Sequence, residues 1–82
     1  MAKTFQVGVY SSQQTLYEGE AISLIAPSVL GYLGVLANHA PLAARLSGGR
    51  ITVRNPQGNT SVIDSSPGGF LQVLQNQVTI LL

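Results

Sequence analysis

The 82-residue sequence has no cysteine and no tryptophan, and it carries very little charge. The first absence excludes disulfide cross-links and thiolate metal sites, so nothing covalent or metallic compensates for a small core. Four Lys/Arg against three Asp/Glu leave a net charge of +1, with charged residues at 9% of the chain. Average soluble proteins carry roughly 25%. So weak a field gives no basic surface for nucleic acid. So few charges also suit a subunit whose surface is partly covered in a complex, because a free monomer normally stays soluble with more. A chain of this length is one domain, residues 1–82, and buries only about 60–65% of the surface its unfolded form exposes.

Residues 21–44 hold no formally charged side chain. A membrane span is nevertheless excluded as a reading. Pro27, Asn38, His39 and Pro41 interrupt the stretch, and no uninterrupted piece approaches the ~20 residues that a spanning helix requires. The amino end, Met1 to Gln6, has no apolar segment behind Lys3 and does not read as a secretory signal.

What is present is a period of two. Phe5, Val7 and Val9 alternate with Thr4, Gln6 and Gly8; Ile51 and Val53 alternate with Thr52 and Arg54; Val78, Ile80 and Leu82 alternate with Gln77 and Thr79. Successive strand side chains point to opposite faces, so each run offers one face to a core. Turn residues separate the runs: Ser11–Gln14, Ser47-Gly48-Gly49, Asn55-Pro56-Gln57-Gly58-Asn59 and Pro67-Gly68-Gly69. Gln75-Asn76 fits a two-residue hairpin joining Phe70–Leu74 to Gln77–Leu82. Residues 40–46 fit either one turn or a short strand. Many short strands with frequent turns predict an all-β fold, a small sandwich of two antiparallel sheets.

No catalytic constellation stands out. His39 is the single histidine. A hydrolase reading would set it beside Asp64 and Ser65 or Ser66, but the Gly-x-Ser-x-Gly elbow is absent. A turn histidine fixed by hydrogen bonds beside Pro41 is the simpler assignment. Gly31, Gly34, Gly68 and Gly69 precede alternating strands, whereas a phosphate loop opens into a helix. They read as bulges or tight bends. Arg50 and Arg54 share one strand face and read as solvated charges. Leu30, Leu33 and Leu36 are apolar residues expected in a loop at the end of the sandwich, where exposure would mark an interface.

Three stretches carry a resemblance. They are Leu16-Tyr17-Glu18-Gly19-Glu20 running into Ala21–Pro27, then Gly31-Tyr32-Leu33-Gly34-Val35-Leu36-Ala37-Asn38-His39-Ala40-Pro41-Leu42, then Gly68-Gly69-Phe70 through Leu81. In order and spacing they resemble the epsilon subunit of F-type ATP synthases, called delta in mitochondria. The resemblance implies a flattened β-sandwich at the foot of the central stalk, at the cytoplasmic face of the bacterial inner membrane. It implies two direct partners, the gamma subunit and the ring of c subunits, and through them the alpha–beta hexamer. It implies rotor coupling during proton-driven ATP synthesis, with no catalytic residue, cofactor or metal of its own and no membrane insertion. By the same resemblance Ser28, Val29, Leu30, Gly31, Tyr32 and Leu33 face the c ring, and Leu16, Tyr17, His39, Ala40, Pro41 and Leu42 face gamma. The family's carboxyl-terminal helical hairpin, which inhibits hydrolysis or binds ATP in some members, has no counterpart before Leu82, so those roles do not carry over. Tyr32 stands where the family often has an acidic residue, which replaces a charge-paired contact with an aromatic one. The rival reading is a generic β-sandwich module that binds protein or glycan through exposed aromatics.

Overall fold

A computed structural model describes residues 3–82. Met1 and Ala2, the start of the 1–82 domain and of the amino end read above as lacking a signal, lie outside the described residues. Nine strands follow in chain order: β1 (Phe5–Tyr10), β2 (Thr15–Ala21), β3 (Ser23–Ser28), β4 (Gly31–Val35), β5 (Leu42–Arg45), β6 (Gly49–Arg54), β7 (Thr60–Ser65), β8 (Phe70–Leu74) and β9 (Gln77–Leu81). They form a five-stranded sheet, β2-β1-β9-β8-β5, and a four-stranded sheet, β4-β3-β6-β7. The all-β sandwich is therefore as expected.

One detail corrects the expectation of two antiparallel sheets. β1 and β9 run parallel, with Val7 beside Val78 and Val9 beside Ile80. The five-stranded sheet is mixed because its first and last strands enter its centre from the same end. The other pairs in both sheets are antiparallel.

The core is what the period of two dictates. Val7, Val9, Leu71, Val73, Val78 and Ile80 project inward from the large sheet, and Leu24, Ala26, Val35, Ile51 and Val53 project from the small one, all buried. Phe5 and Leu46 are buried in the same cluster. Burying one Val, Leu, Ile or Phe side chain contributes about 1.5–3 kcal/mol, so this single cluster is what holds the sheets face to face.

The hairpins obey their turn chemistry. Gln75 and Asn76 both have positive φ, 50° and 61°, the requirement of a two-residue type I′ turn, and they set β8 against β9 in the register Leu74–Gln77. Between β6 and β7, the Asn55 side-chain oxygen accepts from the backbone N–H of Gln57 and of Asn59. Residues 42–45, left open between turn and strand, are β5, paired with β8.

Pro27, read above as one of the residues that rule out a membrane-spanning helix, sits inside β3 opposite Tyr32. β6 pairs only with Ser23–Ile25, so Pro27 lies beyond that ladder and its missing N–H deprives no partner. From there β3 is met by residues leading out of β5. Ser47 N–H donates to Pro27 O, Val29 N–H donates to Arg45 O, and Ser28 bridges to Leu46. These bonds tie the end of β5, an edge strand of the large sheet, to the end of β3, an inner strand of the small one.

Candidate interaction surfaces

The residues expected to face the ring form the β3–β4 turn and the first half of β4, not a loop. Val29 and Leu30 are the turn's central pair, and Ser28 faces Gly31 across it. The Ser28 hydroxyl donates to Gly31 O and accepts from Leu30 N–H. Gly31 has φ 120°, a backbone that a side chain rarely adopts, so its glycine is a requirement of the turn. The outcome is a rigid projection carrying three apolar side chains, Val29 56% exposed, Leu30 96% and Tyr32 77%. Leu33 alternates inward and packs on the core. It supports the projection instead of extending its contact face. Between this turn and β5 lies a groove of about 390 Å³, with Arg45 at its rim. The Arg45 guanidinium lies 5.2 Å from the centre of the Phe70 ring.

The residues expected to face gamma do not form one patch. Leu16 and Tyr17 are on β2, and Leu42 opens β5. Those strands are opposite edges of the large sheet, with β1, β9 and β8 between them. Four inter-strand steps of about 4.8 Å separate them by roughly 19 Å. Leu16, Tyr17 and Leu42 are also half-buried against the core.

His39, Ala40 and Pro41 do stay together, in the β4–β5 segment beside the β8–β9 turn, around a shallow depression that Leu74 and Asn76 also line. Asn38 has φ 64°, and its N–H donates to the Asn76 side-chain oxygen at 2.7 Å. The Asn76 amide nitrogen donates to Thr4 O at 2.9 Å. One side chain thus pins the His39 segment, the β8–β9 turn and the entry to β1. The His39 ring Nδ1 lies 2.7 Å from its neighbour Ala40 O, which is the turn-histidine arrangement expected. Register places this cluster at the Leu74–Gln77 end of the large sheet, whereas Val29 is bonded to Arg45 at the Phe70 end. The two candidate surfaces therefore occupy opposite ends of the sandwich.

The hydrolase arrangement is not assembled. Asp64 faces Arg50 across β6 and β7 at 3.9 Å, both well exposed, and the Ser65 hydroxyl is buried with no hydrogen-bond partner. Among the described residues no group of three or more His, Cys, Asp or Glu is placed to hold a metal ion. No helix among them is long and apolar enough to cross a membrane.

Apolar residues at both parities within one strand, as in Leu24-Ile25 and Leu71–Leu74, suit strands packed on both sides or against a partner, and the structure leaves several such side chains exposed on the outer sheet faces. Ile25 and Val62 are about half exposed on the small sheet, and Phe70, Leu74 and Leu81 on the large one. On the large sheet Tyr10, Leu81, Phe70 and Arg45 make one row across four strands. Tyr10 folds back over Gly8 and donates to a Glu18 carboxylate oxygen at 2.9 Å. That bond, with desolvation and the Glu18 charge, raises the Tyr10 phenol above its ordinary pKa.

Comparison with known proteins agrees with this geometry. Among solved structures, the chain superposes on a chain of the Euglena gracilis mitochondrial ATP synthase OSCP/F1/c-ring structure with a TM-score of 0.86 at 22% identity, covering 99% of this chain and 51% of that one. A chain of the Tetrahymena thermophila mitochondrial ATP synthase central stalk/c-ring structure gives 0.76 at 15% identity, covering 99% of this chain and 65% of that one. At such identities these likenesses establish the fold. Among curated sequences, the ATP synthase epsilon chain of Dichelobacter nodosus is 38% identical over 99% of this chain, and that of Leptospira interrogans is 40% identical over 98%. The chain spans 56% and 61% of the length of those two relatives. Residues 4–82 match the family described as the ATP synthase delta/epsilon chain β-sandwich domain, and the chain belongs to that family.

Proposed function

We propose that this domain is a non-catalytic rotor element of an F-type ATP synthase, joining the gamma subunit to the c ring in the central stalk. On this reading it lies peripherally, at the cytoplasmic face of a bacterial inner membrane. The observation that carries it is the placement of two rigid surfaces at opposite ends of one sandwich. The apolar projection of Val29, Leu30 and Tyr32 meets the ring, and the Asn76-pinned segment with His39, Ala40 and Pro41 meets gamma. A domain that passes torque between two partners needs contacts on separate sides and little internal give. A packed core between two bonded sheets supplies the stiffness. The sparse charge and the apolar outer faces fit a chain covered by larger neighbours. Leu42, which opens β5 next to Pro41, packs beneath this gamma contact, whereas Leu16 and Tyr17 lie apart from it on the opposite edge strand.

The test is a reconstituted synthase whose full-length epsilon chain carries Tyr32→Asp or Leu30→Asp. Both residues are exposed, so the fold should persist by circular dichroism. Proton-driven ATP synthesis in vesicles should fall several-fold while hydrolysis by the soluble part continues. Wild-type coupling in both variants would refute the ring assignment.

A further inference from the structure

The two sheets leave four strand edges, β2, β5, β4 and β7. An open edge presents unpaired backbone groups, and proteins guard it with charge, proline or brevity. Three of these edges are guarded. β2 carries Glu18 and Glu20, β7 carries Asp64, and β5 is four residues long and ends on Arg45. β4, Gly31-Tyr32-Leu33-Gly34-Val35, has neither charge nor proline.

β4 is also complementary to itself. Laid antiparallel about a twofold axis through Leu33, it sets Tyr32 opposite Gly34 of the second copy, Leu33 opposite Leu33, and Gly31 opposite Val35. Tyr32 is 77% exposed, and a Cβ added at Gly34 would meet nothing within 4 Å. A tyrosine ring thus fills the gap over each glycine, an aromatic covering of strand glycine that stabilises pairing. Ile25, the register partner of Gly34 in β3 and 48% exposed, forms the next wall for that ring. On the opposite side of the strand the two Leu33 side chains meet above the core.

We propose that β4 pairs with β4 of a second copy of this chain, joining two four-stranded sheets into one of eight strands. The contact is isologous, so it closes at the dimer. One pair of short strands falls at the low end of interface size, which fits a weak, concentration-dependent association. Self-pairing uses Tyr32, so it and the proposed ring contact exclude one another. It is the state of the chain apart from its assembly.

Sedimentation equilibrium of the chain from low micromolar to about 1 mM tests this directly. A monomer–dimer equilibrium is expected, and a monomer throughout overturns the proposal. Gly34→Lys has room to fold and should lower self-affinity at least tenfold, whereas Val62→Lys on β7 should leave it unchanged. The reverse pattern would place the contact on another edge. Register is checked with cysteine variants, since the chain has no native thiol. Tyr32→Cys mixed with Gly34→Cys should give a disulfide-linked dimer on mild oxidation, and either variant alone should give much less. Equal cross-linking in all three samples would overturn the register. None of these measurements involves coupling, so their failure is separate from failure of the rotor assignment.

Discussion

Asn76 accepts the backbone N–H of Asn38 through its side-chain oxygen, joining two residues that lie 38 positions apart in the chain. The same side chain donates to Thr4 O, and Asn76 itself sits at φ 61°. Asn76→Gly keeps the backbone conformation and removes both bonds. Two hydrogen bonds at a partly exposed site should cost about 1–2 kcal/mol in urea unfolding. The sharper readout is hydrogen exchange, in which the Asn38 amide should lose protection while β6 amides keep theirs. Unchanged protection at Asn38 would mean that the segment is held by something else.

Core and outer-face residues should separate cleanly. Ile80 is fully buried, whereas its strand neighbour Leu81 and the facing Phe70 are about half exposed. Ile80→Ala should cost about 2–5 kcal/mol. Phe70→Ala leaves no closed cavity and should cost under about 1 kcal/mol in the isolated chain. In an 82-residue domain each 1 kcal/mol moves the melting temperature by about 4–8 °C, so calorimetry resolves the difference. A large loss at Phe70 would show that its face takes part in the fold and is not kept for a partner.

Leu33 and Tyr32 adjoin in sequence and part in role. Leu33 packs on the core and Tyr32 projects to solvent. Leu33→Asp should therefore destabilise the chain by about 2–4 kcal/mol, since a carboxylate replaces a half-buried apolar group. Tyr32→Asp should change stability by less than about 1 kcal/mol. Equal losses on thermal melting would contradict the alternation in β4.

This pair also shows what the sequence could convey. The period of two placed the core of β1, β6 and β9 correctly, because side-chain alternation is a local property of strands. The Gln75-Asn76 hairpin was legible because its residues tolerate positive φ. The β1–β9 pairing was not, since a parallel contact between chain ends is fixed by how the sandwich closes and leaves no mark at either strand. The place of Pro27 within β3 was not legible for a related reason. Proline excludes a ladder donor, but whether a donor is needed depends on where β6 stops pairing. Leu33 was placed with the ring surface by the family resemblance, and its position between Gly31 and Gly34 did not show which way it faces. In the structure they are strand residues, and alternation turns Leu33 inward. The expected gamma contacts were scattered likewise, since β2 and β5 became opposite sheet edges only through the non-local order of the strands.

Tyr10 offers a pH signature. Its hydrogen bond to Glu18, followed by desolvation and the Glu18 charge, favours the protonated phenol and raises its pKa above the ordinary value of about 10. The folded chain then holds the Tyr10 proton more tightly than the unfolded chain does. The associated stability is fully present below about pH 10 and declines as pH rises through the raised folded value. Carbon NMR of the tyrosine rings separates Tyr10 from Tyr17 and Tyr32. Glu18→Ala should lower the Tyr10 midpoint toward the ordinary range. Gly8→Ala should act in the same direction, because the added methyl would lie 2.6 Å from the Tyr10 ring and push it off Glu18. A Tyr10 midpoint indifferent to both changes would mean that the Glu18 bond does not persist in solution.

Gly48 provides the last and most local prediction. It has φ 92°, and a Cβ there would lie 2.9 Å from the Pro67 ring, so Gly48→Ala meets both backbone strain and a steric clash. The proline ring is stiff and cannot rotate aside as a long side chain could. Its segment is also tied to the preceding turn, where Gly68 N–H donates to Leu46 O and Leu46 N–H donates to Gly69 O. The substitution should cost about 1–3 kcal/mol. Gly34→Ala, in extended backbone with open space above it, should cost almost nothing in the same assay. Urea denaturation of the two variants side by side decides the matter. A Gly48→Ala chain as stable as Gly34→Ala would mean that the β5–β6 and β7–β8 turns move apart freely, and the seam joining β5 to β3 at Leu46 would then be looser than its hydrogen bonds imply.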